Sequence, residues 1–379
     1  MADAVRLRGM TWDHSRGFDP MVATSRAFHE RHPHVSIDWD KRSLQAFADR
    51  PIADMTGDYD LLVIDHPHVG DVARGGHLVA LDTLGRDGKL AQLAAQSVGA
   101  SHRSYSFDGH QWALAIDAAT PVAAYRADLL EAPPARWRSV LDLARDGRVA
   151  FALIPINALM VFFGLARNLG HTVADDPERL IDPEAGTTVL ELVREIVALM
   201  DPVCLERDPI GILDWMGRTA DGPAYAPFGY GYTNYSRDGY CRFPLTFADA
   251  PGIGDNGSRG TVLGGTGIAI SRSSPNRAIA ADYAFWIAGA ACQAGLYFSS
   301  GGQPGNAVAW DDDACNAGCR DFFRNTRETL ETAWLRPRYD GYMGFQDAAG
   351  AIVHDCLAGA TSVKATLDRL QAAYRESRS

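Results

Sequence analysis

The order of strand-like and helix-like segments is the feature that most constrains how this chain folds. A strand pattern over residues 5–10 precedes a helix pattern that ends at His32-Pro33, and further strand patterns cover 35–39 and 59–65. This alternation predicts a parallel sheet covered by helices. Open α/β sheets bind ligands at the carboxyl ends of their strands. We therefore expect the polar loops that follow these strands to line a binding cleft.

Length and composition narrow the class of protein. The 379 residues exceed what one hydrophobic core normally serves, so we expect two lobes. No apolar run approaches the roughly 18 residues that span a bilayer. The net charge is −11, with acidic and basic residues interspersed, whereas a nucleic-acid surface carries a basic patch. We predict neither a nucleic-acid partner nor insertion into a membrane.

The first residues, Met-Ala-Asp-Ala-Val-Arg, contain no apolar stretch of the kind found in a secretory signal peptide. On the sequence as given we predict a cytoplasmic protein. The prediction changes to a periplasmic or extracellular protein if a leader was removed.

Six cysteines are scattered through the second half of the chain, unlike the pattern of a small disulfide scaffold. Cys315 and Cys319 are close enough in sequence for a local bridge or for two metal ligands. Neither a histidine nor a second cysteine pair stands nearby at zinc-site spacing. We predict free buried thiols, no metal and no cofactor.

Local patterns divide the rest of the chain. They predict a strand over 148–154, a helix over 158–168 capped by Asn157, a helix over 186–200, a Gly/Tyr loop over 227–235, a return strand over 261–270 and a largely helical tail from 311.

Five short phrases carry a resemblance to a known family. They are YDLLVID (59–65), HLVALD (77–82), YRADLL (125–130), GGTGIAI (264–270) and GGQPG (301–305). In this order, over about residues 5–310, they resemble the family 1 extracellular solute-binding proteins of ABC sugar importers.

The resemblance implies an α/β fold of two lobes, the type II periplasmic-binding-protein architecture of maltose-binding protein, with a ligand cleft between lobes that close by hinge motion. Lobe 1 would comprise 1–117 plus 261–308, and lobe 2 would comprise 122–258 plus 312–379. The implied function is binding of a small polar solute, a sugar or another polar or anionic metabolite. The implied partners are that ligand and, if the protein is exported, an ABC permease.

The expected cleft loops are richer in His and Asp than a neutral sugar site normally is. They are WDHSR (12–16) and DHPH (65–68), and Arg16 suits a carboxylate, phosphate or sulfate. The candidate ligand contacts are Trp12, His14, Arg16, Asp65, His66, Asp117, Asn157, Tyr230, Tyr232, Gly265 and Gln303.

The same loops leave open whether the chain is an enzyme. A leaderless cytosolic enzyme on this fold would eliminate, cyclise or hydrolyse a small biosynthetic intermediate, with His14 or His66 as general base and Asp65 or Asp117 as its partner. His66 and His68 would alternatively shape a local turn around Pro67. A metal site at these two histidines is not expected, because side chains two residues apart in an extended segment point to opposite faces. A cytosolic sensor that binds a partner protein is a third hypothesis.

Overall fold

The computed structural model of the chain describes residues 4–43 and 52–378, which form two compact units. Within these residues, unit 1 comprises 4–43, 52–119, 264–317 and 338–340. Unit 2 comprises 120–263, 318–337 and 341–378.

The strands of the described residues have two to eight residues and belong to three sheets. They are β1 (Val5–Trp12), β2 (Val35–Arg42), β3 (Leu61–Asp65), β4 (Ser106–Phe107), β5 (His110–Gln111), β6 (Leu114–Ala115), β7 (Pro121–Tyr125), β8 (Tyr225–Tyr230), β9 (Thr246–Ala248) and β10 (Thr266–Ile270).

The helices of the described residues have between three and 17 residues. They are α1 (Ser15–Arg31), α2 (Val69–Gly75), α3 (Asp87–Ala95), α4 (Trp137–Arg145), α5 (Pro155–Asn168), α6 (Pro183–Val197), α7 (Pro209–Arg218), α8 (Arg277–Ala288), α9 (Ala290–Cys292), α10 (Ala307–Asp311), α11 (Asp313–Ala317), α12 (Phe322–Asn325), α13 (Arg327–Glu331), α14 (Tyr342–Leu357) and α15 (Val363–Glu376). Among the described residues, no helix is both long enough and apolar enough to cross a bilayer.

The main sheet of unit 1 has the order β2-β1-β3-β10-β6. Strand β1 runs parallel to β2, with Val5 opposite Val35, and parallel to β3, with Gly9 opposite Leu61. The predicted parallel arrangement of the first three strands is therefore confirmed. Strand β10 lies antiparallel to both β3 and β6. Helix α1 packs on β1 and β2, and α8 packs on β10.

Strand β3 lies in the core of this sheet. Its first four residues, Leu-Leu-Val-Ile, are each at most 2% exposed. An uninterrupted apolar run of this kind is typical of a strand that is covered on both faces. Each such side chain contributes about 1.5–3 kcal/mol when it is fully buried. The chain becomes polar directly after this run, at Asp65, which is the last residue of β3.

The sheet of unit 2 has the order β8-β7-β9 and is antiparallel throughout. The strand predicted over 148–154 is wrong, because in this segment only Val149 forms a bridge, to Tyr225. The N–H of Ala150 donates to Tyr225, but the N–H of Leu153 donates to Cys204, so no single neighbour accompanies the segment. A short apolar run marks burial, and pattern alone does not tell a strand from other buried backbone.

Asn157 does not cap a helix, contrary to the prediction. Helix α5 begins at Pro155, with Ile154 at the N-cap and no side-chain capping bond, so Asn157 lies inside the first turn. Proline suits the first helical position because it lacks an N–H that would have no acceptor there. Helix α6 also begins earlier than predicted, because Asp182 caps it through the N–H groups of Glu184 and Ala185.

Two further sequence expectations need correction. The Gly/Tyr segment is a loop only in part, since β8 continues to Tyr230 and a 3₁₀ turn follows at Thr233–Ser236. The return strand is restricted to Thr266–Ile270. The tail is largely helical as predicted, with a non-helical segment over 332–340.

Candidate functional site

Two loops of unit 1 lie side by side at the carboxyl ends of β1 and β3. Met10 of β1 is opposite Leu62 of the parallel strand β3, so the two strands end at the same edge of the sheet. Trp12, His14 and Arg16 thereby come to the same edge as the loop that begins at Asp65. This register brings the two polar loops together at the carboxyl ends of their strands, as expected.

The loop after β1 is held by its own side chains. The rings of Trp12 and His14 are stacked, with centroids 5.4 Å apart and planes 11° from parallel. Gly17 makes room for the indole, because a Cβ there would lie 2.2 Å from its Nε1. The Nδ1 of His14 accepts from the N–H of Arg16 at 3.0 Å and caps α1. In the neutral ring the proton is then on Nε2, so His14 is arranged as a donor.

Arg16 and Asp117 form a buried ion pair although 101 residues separate them. The Arg16 Nε and Nη2 donate to the two carboxylate oxygens at 2.7 and 2.5 Å, and the side chains are only 4% and 2% exposed. Burial raises the pKa of Asp117, and the Arg16 charge opposes that rise by favouring the carboxylate. This edge of the guanidinium is occupied by Asp117, so a clamp on a ligand anion at Arg16 stays a prediction.

Gly265 and Gln303 position the segment that carries Asp117. Gly265 has a φ of +101°, and a Cβ there would lie 2.4 Å from the Asp117 carbonyl oxygen. Gln303 is 1% exposed, and its Nε2 donates to the carbonyl of Ala118 at 2.8 Å. Both residues contact the backbone next to Asp117, and their direct contact with a ligand stays a prediction.

The loop after β3 turns at once into a 3₁₀ segment, His66–His68, with Asp65 half-buried before it. His66 is fully buried, and its ring meets the edge of Tyr105 at 6.3 Å. The Tyr105 hydroxyl donates to the carbonyl of Gly265 at 3.1 Å. The extended geometry assumed for His66 and His68 is therefore wrong. No group of three metal-ligating side chains is found in the described part of the chain.

The candidates of unit 2 are aromatic and amide side chains. Asn157 is 8% exposed on the first turn of α5. Tyr230 is half-buried at the end of β8, and its hydroxyl donates to the carbonyl of Val262 at 3.2 Å. Tyr232 is buried and meets Tyr235 edge-on at 6.5 Å.

Cys315 and Cys319, considered above as a bridge or as metal ligands, are both buried free thiols. Burial raises the pKa of Cys319 to about 11, so this thiol is uncharged at neutral pH.

Sequence reasoning missed one polar pair of unit 2. Arg336 and Gln346 are both buried and are joined by a hydrogen bond of 2.5 Å. The available signal was Pro337, which disfavours helix at the residue before it and so places Arg336 outside the predicted helical tail.

The chain matches the family model described as bacterial extracellular solute-binding protein over residues 24–317. A comparison with curated proteins found no match.

Solved structures of similar fold cover almost the whole chain. Maltose-bound MalE3 of T. maritima is 16% identical, with a TM-score of 0.83 over 98% of this chain and all of that one. A ribitol-bound ABC transporter solute-binding protein of Agrobacterium radiobacter K84 is 20% identical, with a TM-score of 0.80 over 99% of each chain. UgpB of Mycobacterium tuberculosis in complex with glycerophosphocholine is 16% identical, with a TM-score of 0.80 over 98% of each chain. At these identities the structures establish the fold.

Proposed function

Because the chain belongs to the bacterial extracellular solute-binding proteins, we propose that its solute is a small polyhydroxylated or anionic metabolite and that it delivers this solute to an ABC permease. The observation that carries the proposal is the group of Trp12, His14, Arg16 and Asp117 at one edge of the unit 1 sheet. The relatives named above are binding proteins, and none of them favours the enzyme hypothesis.

The chemistry of this edge suits a polar solute. The Arg16 and Asp117 charges offset each other, so the pair adds no net charge to the site. Trp12 is 4% exposed and stacks on the half-buried His14, whose flat ring has a donor at Nε2 when it is neutral. Flat faces combined with a few fixed polar groups are what a pocket for a small ligand normally supplies.

The bound molecules of the structural relatives support the same class. Those proteins hold maltose, ribitol and glycerophosphocholine, which share several hydroxyl groups or a charged phosphodiester. In unit 1 the proposed contacts also include Asp65, His66, Gly265 and Gln303. In unit 2 they are Asn157, Tyr230 and Tyr232.

The family is one of extracellular proteins. We accordingly propose that this chain acts outside the cytoplasmic membrane, which departs from the cytoplasmic prediction drawn from its first residues. Immunodetection in osmotic-shock fluid of the source cells tests this proposal, and recovery only with cytosolic markers would overturn it.

Thermal unfolding in the presence of ligand pools tests the binding function. Pools of sugars, polyols, phosphodiesters and organic acids are added separately to the purified protein. The pool that contains the solute should raise the melting temperature of the protein. A ligand at 100 times its Kd stabilises the folded state by about 2.7 kcal/mol. A well-folded sample that responds to no pool would refute the proposal.

A matched pair of variants tests the site itself. His14→Asn keeps a good N-cap for α1 but removes the stacked ring. We expect it to weaken solute binding with little change in the stability of the free protein. The control is His34→Asn at an exposed position, which should leave binding unchanged. Equal affinities in the two variants would remove His14 from the site.

A further inference from the structure

Arg336 of unit 2 is a buried cation that has no carboxylate partner among the described residues. The residue is 6% exposed, and within the described part of the chain its guanidinium donates from Nη1 to the neutral amide oxygen of Gln346. Its Nε is buried and meets no acceptor among the described residues. A guanidinium carries five N–H donors and keeps its charge in proteins. Most of its bonding capacity is therefore not used within the described part of the chain.

The other fully buried arginines of this chain are paired differently. Arg16 is bound to both oxygens of Asp117. Arg126, which is 1% exposed, holds Asp128 through Nε and Nη2 at 2.7 and 2.6 Å. Buried charges are normally paired, because removal from water is costly without a countercharge. Among the described residues no carboxylate pairs with Arg336, and this points to a countercharge that comes from a bound molecule.

The position of Arg336 is imposed by the backbone. The N–H of Trp334 donates to Thr261 at 2.7 Å, and the N–H of Leu263 donates to Trp334 at 2.8 Å. Pro337 follows directly and restricts Arg336 to extended conformations. The backbone is therefore held before Arg336 and conformationally restricted at Arg336 itself, which limits the positions that the guanidinium can take.

The surroundings are suited to negative charge. Gln346 lies on α14, and Gly350 lies one turn later on the same face, about 6 Å further along the axis. A Cβ at Gly350 would be 2.9 Å from the Pro155 carbonyl, so α14 touches the first turn of α5. That turn has no side-chain cap, and Asn157 on it makes no hydrogen bond through its amide side chain within the described residues. First-turn N–H groups lack intrahelical acceptors and favour anions.

We propose that Arg336 and Gln346 bind an anionic oxygen group, a carboxylate or a phosphate, with the first turn of α5 adding N–H donors. The planar fork of a guanidinium matches both groups bidentately. This inference rests on the proposed function, since the anionic group is taken to belong to the solute. It narrows the solute to a polar metabolite that carries at least one negative charge.

Inorganic phosphate and acetate are the probes, with potassium chloride at matched ionic strength as reference. Melting temperatures of the full chain are measured across a concentration series and give an apparent Kd for each anion. We expect phosphate, acetate or both to stabilise the wild type more than chloride does, and the stronger of the two identifies the group. Arg336→Met should raise the apparent Kd by at least about tenfold. Arg138→Met, at an exposed position of the same unit, should leave it unchanged.

Gln346→Glu is a second variant that retains the arginine. It places a carboxylate beside the guanidinium and should raise the melting temperature in chloride while abolishing the response to phosphate and acetate. The same anion response in wild type, Arg336→Met and Gln346→Glu would mean an adventitious ion only and would overturn the inference. An absent anion response in the wild type would also overturn it, and a metabolite pool that still stabilises the protein would then leave the solute-binding proposal intact.

Discussion

Replacing Asp117 by Asn leaves the Arg16 guanidinium buried without its countercharge. The substitution keeps the size and shape of the side chain, so it changes charge with little change in packing. The pair is almost inaccessible to solvent, with side-chain exposures of 4% and 2%. Water therefore cannot replace the lost carboxylate without opening the loop between β1 and α1.

The expected destabilisation follows from the geometry. Two unit charges whose centres are about 4 Å apart attract by about 4 kcal/mol at an effective dielectric constant of 20. Removal of one partner from a buried pair commonly costs about 3–5 kcal/mol, because the other charge stays buried and unpaired. We therefore expect Asp117→Asn to lower the free energy of unfolding by about 3–5 kcal/mol.

Urea unfolding at pH 7, followed by tryptophan fluorescence, measures this loss. The control is Asp38→Asn, whose carboxylate accepts from Arg6 at a similar distance of 2.7 Å but in an exposed pair. That control should lose less than about 1 kcal/mol. The double variant Arg16→Met/Asp117→Leu removes both charges and should recover much of the stability. A loss in Asp117→Asn no larger than in the control would refute the reasoning from burial.

Two further predictions concern unit 1 backbone and pH. Gly265→Ala should destabilise the protein by more than about 1 kcal/mol in thermal unfolding, because the φ of Gly265 is +101° and a Cβ there has no room. The control is Gly229→Ala, which should not destabilise the protein in this way because the space around its Cβ is open. Equal effects of the two substitutions would contradict this prediction. Burial lowers the pKa of His102 below its ordinary 6.5, because the buried site favours the neutral ring. The stability that the protein gains from the neutral ring is therefore complete above pH 6.5 and is lost as the pH falls through the folded-state pKa. His102→Gln should therefore lose less stability than the wild type between pH 7 and pH 5 in urea unfolding, and parallel profiles would show that His102 does not contribute.

Much of the unit 1 site was accessible from sequence because it depends on local pattern. The apolar run before Asp65 predicts a buried strand, and the change to polar residues marks where that strand ends. The same holds for β1 and the residues after Trp12. Parallel neighbours then bring both loops to one edge without further information. The sequence did not reveal that Asp117 occupies one edge of the Arg16 guanidinium, because that contact joins residues 101 positions apart.

Unit 2 was less predictable because its backbone bonds have scattered partners. The apolar segment after Arg148 has the composition of a strand, yet Ala150 and Leu153 donate to different parts of the chain. Asn157 has the side chain of a good cap, but Pro155 begins the helix two residues earlier. In both cases the residues have the local preference that was expected, but tertiary contacts favour a different backbone structure.

The sequence by itself determined the α/β class, the parallel start of the first sheet and the family, since periodicity and short phrases are local properties of the chain. Only the tertiary structure decided which charges are compensated. Arg16 and Arg336 look alike in sequence, since each follows a tryptophan by four residues or fewer. Folding gives a carboxylate to the first and a neutral amide to the second. Electrostatic balance depends on distance and burial, and these exist only once remote segments have been brought together.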